Sequence, residues 1–334
     1  MPLESPAVLA HLSSWLSCHD LCALRALNRD LYVAVPHQTW ELTVAKIGSP
    51  ETMAHLATVF PHVWCLRLQD AMLEAIPTMA ALAPWLHANW KLRELALTRV
   101  ACLRGFHVHM LTKEWAALEK LTLQQCYQVQ MLAIIAPNLH SLVIVNCPVT
   151  KFHAETSMPM LKELSVSSRK LSTLQARGLV KNVLSGSPSL KKLSLSNCPK
   201  LEQVLIDPEN LPALRELDLS NCAKLTRVHV SSKQLESLEL SLNDQLQYIL
   251  LDLDRVVNLD LSFLKSLTHL YIRSSSLRRL NLRGCSQLQR ETTRVDCPNL
   301  QLVVLQGTAL VVDDLNRNDE SQRVFELPDA IQNP

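Results

Sequence analysis

Residue types that often carry chemistry are present in this chain, but they do not occur at the spacings that chemistry requires. The ten cysteines include no Cys-x-x-Cys pair, the usual arrangement of a metal site or a redox centre. His107 and His109 could begin a metal site, yet no third ligand follows at a suitable spacing. Serine, histidine and aspartate form neither a nucleophile elbow nor a metal-binding helix motif. We therefore expect a protein that is not an enzyme and has no metal and no cofactor.

The composition excludes further classes. Nucleotide-binding folds need closely spaced glycines, whereas the six glycines of this 334-residue chain are at least eight residues apart, which excludes Rossmann and P-loop folds. The 33 basic and 31 acidic residues nearly balance, so neither nucleic acid nor an anionic membrane is an expected partner. The sequence shows no signal segment and no apolar run of about 20 residues. We expect a cytoplasmic or nuclear protein with free thiols.

The elements that would position any site follow a leucine pattern of fixed period. A Leu-x-x-Leu-x-Leu core recurs every 21 to 24 residues in the second half and continues more weakly upstream, which gives eleven copies. Their first residues are Val63, Leu92, Leu118, Leu139, Leu161, Leu190, Leu214, Leu235, Val256, Leu277 and Leu300. The pattern resembles the leucine-rich repeat, in which a short strand with inward leucines is followed by a turn. The predicted fold class is α/β, a leucine-rich-repeat solenoid with a parallel concave sheet.

Two features of the repeat predict how its coils are built. A cysteine or asparagine follows the core in six copies and is expected to point inward, at Cys126, Cys147, Cys198, Cys222, Asn243 and Cys285. Shorter half-copies begin at Leu225, Leu246 and Leu267, where a 21-residue period leaves too little chain for a three-turn helix. We therefore expect an extended convex side, with Tyr248, His269 and Tyr271 together on it. The longer early copies could hold helices near 72–90 and 179–184.

The residues before about position 50 do not fit the repeat. Their leucines recur at intervals of three to five, as in packed helices, at Leu9, Leu12, Leu16, Leu21, Leu24, Leu27 and Leu31. Asp20 is predicted to cap a second helix, and Pro36 is predicted to end that helix or the next.

This N-terminal segment resembles a known module. The run PAVLAHLSSWLSCHDLCALRALNRDLY, followed by Trp40-Glu41-Leu42, resembles an F-box, the helical module that docks the Skp adaptor of cullin-RING ubiquitin ligases. The resemblance implies that the adaptor contacts Leu9, Leu12, Leu16, Leu21, Leu24, Leu27 and Trp40. An alternative is that the helices only cover the open end of the solenoid, as every repeat protein requires.

A column of acidic residues lies on the predicted concave face. Side chains alternate along a strand, so the residue between the second and third apolar positions of each copy points away from the core. Asp218, Glu239 and Asp260 hold this position in three consecutive copies, although stacked like charges oppose folding. We interpret the column as a site for a basic or amide-rich peptide. The neighbouring candidates are Glu216, Asn258, Asn281 and Arg279.

An alternative without a partner remains for this face. The acidic residues could merely keep the sheet soluble, and the basic Lys120, Lys192 and Arg99 are interpreted as solvated surface.

The sequence thus predicts three parts: an F-box-like helical module over 1–50, a solenoid of about eleven repeats over 51–308 and a cap or tail over 309–334. The predicted function is a non-catalytic substrate-recognition subunit of a Skp-cullin-F-box ubiquitin ligase. Its partners would be the Skp-type adaptor, the cullin ligase and an unidentified protein substrate. The alternative function is a leucine-rich-repeat scaffold in a large assembly, without a ubiquitin role.

Overall fold

The computed structural model describes residues 6–13, 16–46, 50–70, 92–101, 103–115, 117–152, 158–172, 187–209, 211–311 and 315. The segments 72–90 and 179–184, for which helices were suggested, and nearly all of the C-terminal part beyond 311 lie outside these residues.

The described helices begin and end as their local sequence dictates. They are α1 (Pro6–Ser13), α2 (Cys18–Arg25), α3 (Arg29–Gln38), α4 (Pro50–Val59) and α5 (Gly105–Glu114). The α2 cap is Ser17, whose Oγ accepts the N–H of Asp20 at 3.2 Å, while an Asp20 carboxylate oxygen accepts the N–H of Ser17. This is a capping box. The prediction that Asp20 is the cap is therefore wrong, because the helix begins before it.

Pro36 lies inside α3 and does not end it, contrary to expectation. A proline has no N–H, so the carbonyl of Tyr32, four residues earlier, loses its helical donor. The Nε of Arg25 donates to that carbonyl at 3.3 Å and replaces the missing bond. The helix then continues for two residues to Gln38.

Parallel strands make up most of the rest of the described chain. In chain order they are β1 (Glu41–Ala45), β2 (Cys65–Gln69), β3 (Glu94–Thr98), β4 (Lys120–Gln124), β5 (Met131–Leu132), β6 (Ser141–Val145), β7 (Lys151–Phe152), β8 (Glu163–Ser167), β9 (Lys192–Ser194), β10 (Gln203–Ile206), β11 (Glu216–Asp218), β12 (Arg227–Ser232), β13 (Ser237–Glu239), β14 (Tyr248–Leu253), β15 (Asn258–Asp260), β16 (His269–Arg273), β17 (Arg279–Asn281), β18 (Thr293–Asp296) and β19 (Leu302–Val304). A short 3-10 turn covers Arg290–Thr292.

The concave side is a parallel sheet in two parts. Among the described residues, nine strands form the order β1-β2-β3-β4-β6-β8-β9-β11-β13, and β15-β17-β19 form a second, three-stranded sheet. Each of the eleven predicted repeat copies contributes one of these strands. The leucines of the repeat core are buried, as predicted, except in the last copy, where Leu300 and Leu305 are half-buried.

The sheet begins earlier than the sequence indicates. β1 pairs in parallel with β2, with Leu42 opposite Leu66 and Val44 opposite Leu68, so the prediction that no residue before about 50 fits the repeat is wrong for 41–45. The first apolar position of this copy is held by Thr39, which hid the pattern. Thr39 is buried and its hydroxyl donates to the carbonyl of Val35 at 2.6 Å.

The convex side of the later coils is extended, as predicted from the half-copies. The order there is β10-β12-β14-β16-β18, with all pairs parallel. A small sheet of β5 and β7 lies on the earlier coils. The fold is a leucine-rich-repeat solenoid.

The inward turn position is confirmed. Its five cysteines and Asn243 are all buried. The thiols donate to carbonyls of the preceding coil, for example Cys222 to Leu195 at 3.3 Å and Cys285 to Leu261 at 3.0 Å.

Within the described residues, no helix has the length and apolar character needed to span a membrane.

Candidate partner-binding surfaces

The concave face brings the predicted acidic column together. β9, β11 and β13 are in register, with Ser194 opposite Asp218 and Asp218 opposite Glu239. Asp260 and Asn281 are opposite each other in the second sheet. Glu216, Asn258 and Arg279 lie two residues earlier on the same face and are exposed. The predicted partner-binding residues therefore share one face.

Each carboxylate of the column has a local structural role that sequence reasoning missed. It accepts the backbone N–H of the residue two positions later, where the strand ends. The distances are 2.9 Å from Ser220 to Asp218, 3.0 Å from Ser241 to Glu239 and 2.8 Å from Ser262 to Asp260. The repeated spacing of an acidic residue two positions before a serine is the signal that could have indicated these bonds.

At Asp260 these bonds also favour the ionised carboxylate. Burial raises the pKa of the Asp260 carboxyl, but bonds from the hydroxyl and N–H of Ser262 and from the amide of Asn281 lower it more, and the pKa lies below its ordinary value. Asp218 additionally accepts the Ser194 hydroxyl at 2.9 Å. A carboxyl group with a lowered pKa is ionised at neutral pH.

Elsewhere on the sheet, acidic residues are neutralised by bases on the next strand. Lys120 pairs with Glu94 at 2.5 Å, Lys192 with Glu216 at 3.0 Å and Arg67 with Glu41 at 2.7 Å. Arg99 pairs with Asp70 through two nitrogens. Lys120, Lys192 and Arg99 are thus ion-paired rather than simply solvated, and Glu216 is not a free carboxylate.

The acidic column differs, because no lysine or arginine of the described residues lies within ion-pair distance of Asp218, Glu239 or Asp260. The concave sheet is also interrupted at this place: β13 ends the first part and β15 begins the second. Glu239 and Asp260 therefore stand on the two sides of the interruption.

A ladder of left-handed residues follows the concave strands. These residues have positive φ, and in the later coils they are Asn197, Asn221, Leu242, Phe263, Gly284 and Gly307, with φ between 55° and 80°. Asparagine and glycine adopt this conformation readily, whereas bulky side chains rarely do.

Most members of the ladder donate their N–H to a carbonyl of the next coil, for example Asn221 to Ser241 at 3.0 Å and Phe263 to Arg283 at 2.7 Å. In the described chain from Lys46 to Gly284, Leu242 is the ladder residue without this bond, and it lies at the interruption of the sheet.

Leu242 and Phe263 form an apolar ledge beside the acidic column. Their side chains are 70% and 56% exposed, and each follows the column residue of its own coil by three positions. Sequence reasoning missed the ledge, although Leu and Phe stand where two neighbouring copies on each side have Asn or Gly.

The N-terminal helices present a second apolar surface, and here the structure refines the predicted adaptor contacts. Leu9 and Leu21 are buried in the core, so they stabilise the helical unit and do not offer a contact surface. The structure places Leu12, Leu16 and Leu24 in half-buried positions, and it exposes Trp40.

We call Leu27, Tyr32 and Val33, all exposed, the α2–α3 patch. Leu27 is 69% exposed. The Arg25 guanidinium lies 4.0 Å from the centre of the Tyr32 ring, a cation–π distance.

A scan against protein-family models finds no match, and a search of curated proteins finds none either. Among solved structures, TLR13 in complex with ssRNA13 is 17% identical with a TM-score of 0.49, over 83% of this chain and 45% of that one. The chain therefore spans less than half of the TLR13 chain. The functional domain of InlJ from Listeria monocytogenes is 16% identical with a TM-score of 0.42, over 83% of this chain and 61% of that one. The structure of the complex of Rad7 and Elc1 in yeast is 15% identical with a TM-score of 0.32, over 89% of this chain and 88% of that one.

Aromatic rings stack on the convex side of the later coils. The rings of Tyr248 and His269 stack with centres 4.3 Å apart, and Arg227 lies 5.1 Å from the Tyr248 ring. Tyr271 lies two residues after His269 on the same face, opposite Leu250 and Arg294.

The suspected histidine pair is engaged with backbone. The Nδ1 of His107 accepts the N–H of Arg104 at 3.1 Å, and the Nδ1 of His109 is 3.2 Å from the carbonyl oxygen of Ala133. The part of the chain that the structure describes contains no cluster of three His, Cys, Asp or Glu side chains suited to a metal ion.

Proposed function

We propose that this protein is a non-catalytic interaction scaffold that serves as the substrate receptor of a Skp-cullin-F-box ubiquitin ligase. In this proposal the α2–α3 patch docks a Skp-type adaptor, and the concave side of the solenoid binds a protein substrate. The observation that supports adaptor docking most is the exposure of Leu27, Tyr32 and Val33.

The exposure of these residues argues for a partner because the same helices bury other leucines. Leu9 and Leu21 point into the core, as the helices of a simple cap would require. Leu27 and Val33 point away from it and leave apolar surface in water. Such surface is typical of a protein interface when several apolar side chains are neighbours.

The concave side supports the second half of the proposal. A solenoid offers an extended surface rather than a closed pocket, which suits the binding of macromolecules. The column of Asp218, Glu239 and Asp260 gives this surface a negative charge that no ion pair of the described residues neutralises. Charged surfaces of one sign select partners of the other sign.

The alternative function, a scaffold without a ubiquitin role, is favoured by a different observation. The chain passes from α3 through Thr39 directly into β1, which is the first strand of the concave sheet. The helical unit is thereby built onto the first coil in the manner of a structural cap. In that case no adaptor would bind.

Adaptor binding separates the two functions. The full chain would be mixed with a purified Skp-type adaptor and analysed by size-exclusion chromatography and calorimetry. We expect a complex with the native chain, and none with a Leu27→Asp, Val33→Asp variant, whose substitutions lie at exposed positions and leave the core intact. A Met131→Asp variant, also exposed but in β5, is the matched control and should bind normally. If the native chain is folded and forms no complex with the adaptor, the receptor function is disproved and the scaffold function is favoured.

A further inference from the structure

The apolar ledge of Leu242 and Phe263 is a feature that folding alone does not account for. Both side chains are more than half exposed, at 70% and 56%. Both also have positive φ, 60° and 62°, a conformation that is unfavourable for large side chains. The neighbouring coils avoid both penalties by placing Asn221 and Gly284 at the same position.

The Phe263 ring occupies the space that a side chain at the next ladder position would fill. A Cβ atom added at Gly284 would lie 2.9 Å from Cδ1 of Phe263, so the ring leans over the bare backbone of the next coil. The coil after that has Gly307 at the equivalent position, again without a side chain. The Arg283 guanidinium is 5.7 Å from the ring centre. After Phe263, the ladder positions of the described coils therefore carry no side chain.

The charge beside the ledge selects the partner. Glu239 and Asp260 precede Leu242 and Phe263 by three residues, and one oxygen of each carboxylate is bonded to a backbone N–H. No lysine or arginine of the described residues forms an ion pair with either of them. A basic side chain would be attracted here, and an acidic one would be repelled.

We propose that the ledge and the two carboxylates together bind an extended segment of a partner protein in which a lysine or arginine neighbours a large apolar side chain. The apolar side chain packs on Leu242 and Phe263, and the basic side chain pairs with Glu239 or Asp260. This inference rests on the proposed receptor function, because it names the chemistry of the segment that the concave side takes. Adjacent coils are about 4.8 Å apart, so a ledge of two coils accommodates one aromatic or leucine side chain and its neighbour.

The probe is a phage-displayed library of random 12-residue peptides, selected on the purified full chain. Enriched sequences are then synthesised with a fluorescein label, and binding is measured by fluorescence anisotropy. We expect enriched peptides to combine Lys or Arg with Leu, Phe or Trp. Binding should weaken as salt concentration rises, because screening reduces the charge attraction.

The decisive variant is Leu242→Asn, Phe263→Asn, which installs the residue type of Asn197 and Asn221. Asparagine tolerates left-handed backbone, so thermal unfolding of this variant should occur at the same temperature as in the native chain or higher. Peptide binding should nevertheless weaken by about tenfold or more, as expected for the loss of an apolar anchor. The control Met131→Asn, Met160→Asn removes two exposed apolar side chains elsewhere and should leave binding unchanged.

A second variant tests the charge. Glu239→Gln, Asp260→Asn keeps an oxygen that accepts the N–H of Ser241 and Ser262 and removes both charges. It should weaken peptide binding and abolish most of its salt dependence.

Three outcomes would overturn the inference: no peptide is enriched, the enriched peptides lack basic residues, or the folded ledge variant binds as the native chain does. Adaptor binding measured on the same preparations keeps this result separate from the receptor function. If the ledge variants bind peptide normally while the adaptor still binds, only the proposed chemistry of the bound segment is disproved. If peptides bind as proposed but the adaptor does not, only the role in a ubiquitin ligase is disproved.

Discussion

Replacement of Asn243 by alanine tests whether the inward turn position holds the coils together. Asn243 is fully buried, and its Oδ1 accepts the N–H of Cys222 at 2.8 Å. Its Nδ2 donates to the carbonyls of Leu219 at 3.0 Å and Leu240 at 2.8 Å. Alanine would leave these three buried backbone groups without partners.

The size of the effect follows from that count. A buried polar group without a partner costs about 1 to 2 kcal/mol, so three groups lower the free energy of unfolding by about 3 to 6 kcal/mol. With a urea dependence of about 3 kcal/mol per molar, the unfolding midpoint would fall by about 1 to 2 M. Asn243→Cys keeps one donor of the kind that Cys222 uses toward Leu195, so two of the three groups stay without a partner and it should lose about two-thirds as much.

The assay is urea unfolding followed by circular dichroism, and the matched control is Asn258→Ala. Asn258 is exposed on the concave face, where a substitution changes stability by less than about 0.5 kcal/mol. Unfolding of Asn243→Ala and Asn258→Ala at the same urea concentration would contradict a role of Asn243 in holding the coils together. A cysteine variant less stable than the alanine variant would contradict it as well.

Two further predictions use titratable groups whose pKa is shifted by burial. Burial lowers the pKa of His229, partly opposed by Asp207 and Asp252, so its contribution to stability is complete above the unfolded pKa of about 6.5 and is lost as pH falls below it. His229→Leu, which matches Leu205 and Leu250 in register, should therefore flatten the fall in the thermal midpoint between pH 7 and pH 5, and an unchanged slope would contradict this. Burial also raises the pKa of Cys222 to about 12, so brief alkylation at pH 8 followed by mass spectrometry should label exposed Cys22 and spare Cys222 until the chain unfolds.

The periodicity of leucine is what made the fold predictable. Strand side chains alternate, and each coil must present the same buried positions to its neighbours, so the spacing fixes both the strands and their register. β1 escaped detection because the polar Thr39 stands at its first apolar position and is satisfied there by a bond to Val35. A periodicity of apolar residues cannot reveal a buried position that a hydroxyl group occupies.

The candidate site was only half predictable, for a similar reason. Alternation placed Asp218, Glu239 and Asp260 on the concave face, where Asp218 is in register with Glu239 in the first sheet and Asp260 with Asn281 in the second. Their bonds to the N–H groups at the strand ends and the left-handed backbone of Leu242 and Phe263 depend on local chain direction. A pattern of residue types carries that information only when Asn or Gly marks the position.

The left-handed ladder has a consequence for how such a protein can change its partners. Almost every described coil, with the coil of Ser168 as the exception, has one residue with this backbone geometry at the same position, while its side chain differs from Lys46 through Asp70 to Gly307. Because the main chain already has the left-handed conformation at these positions, exchanging their side chains alters the surface along the ladder without shifting the register of the coils. A bulky pair moved from 242 and 263 to adjacent coils would translate the recognition surface along the axis in increments of about 4.8 Å. Substitutions at the ladder positions can therefore change the recognition surface one coil at a time.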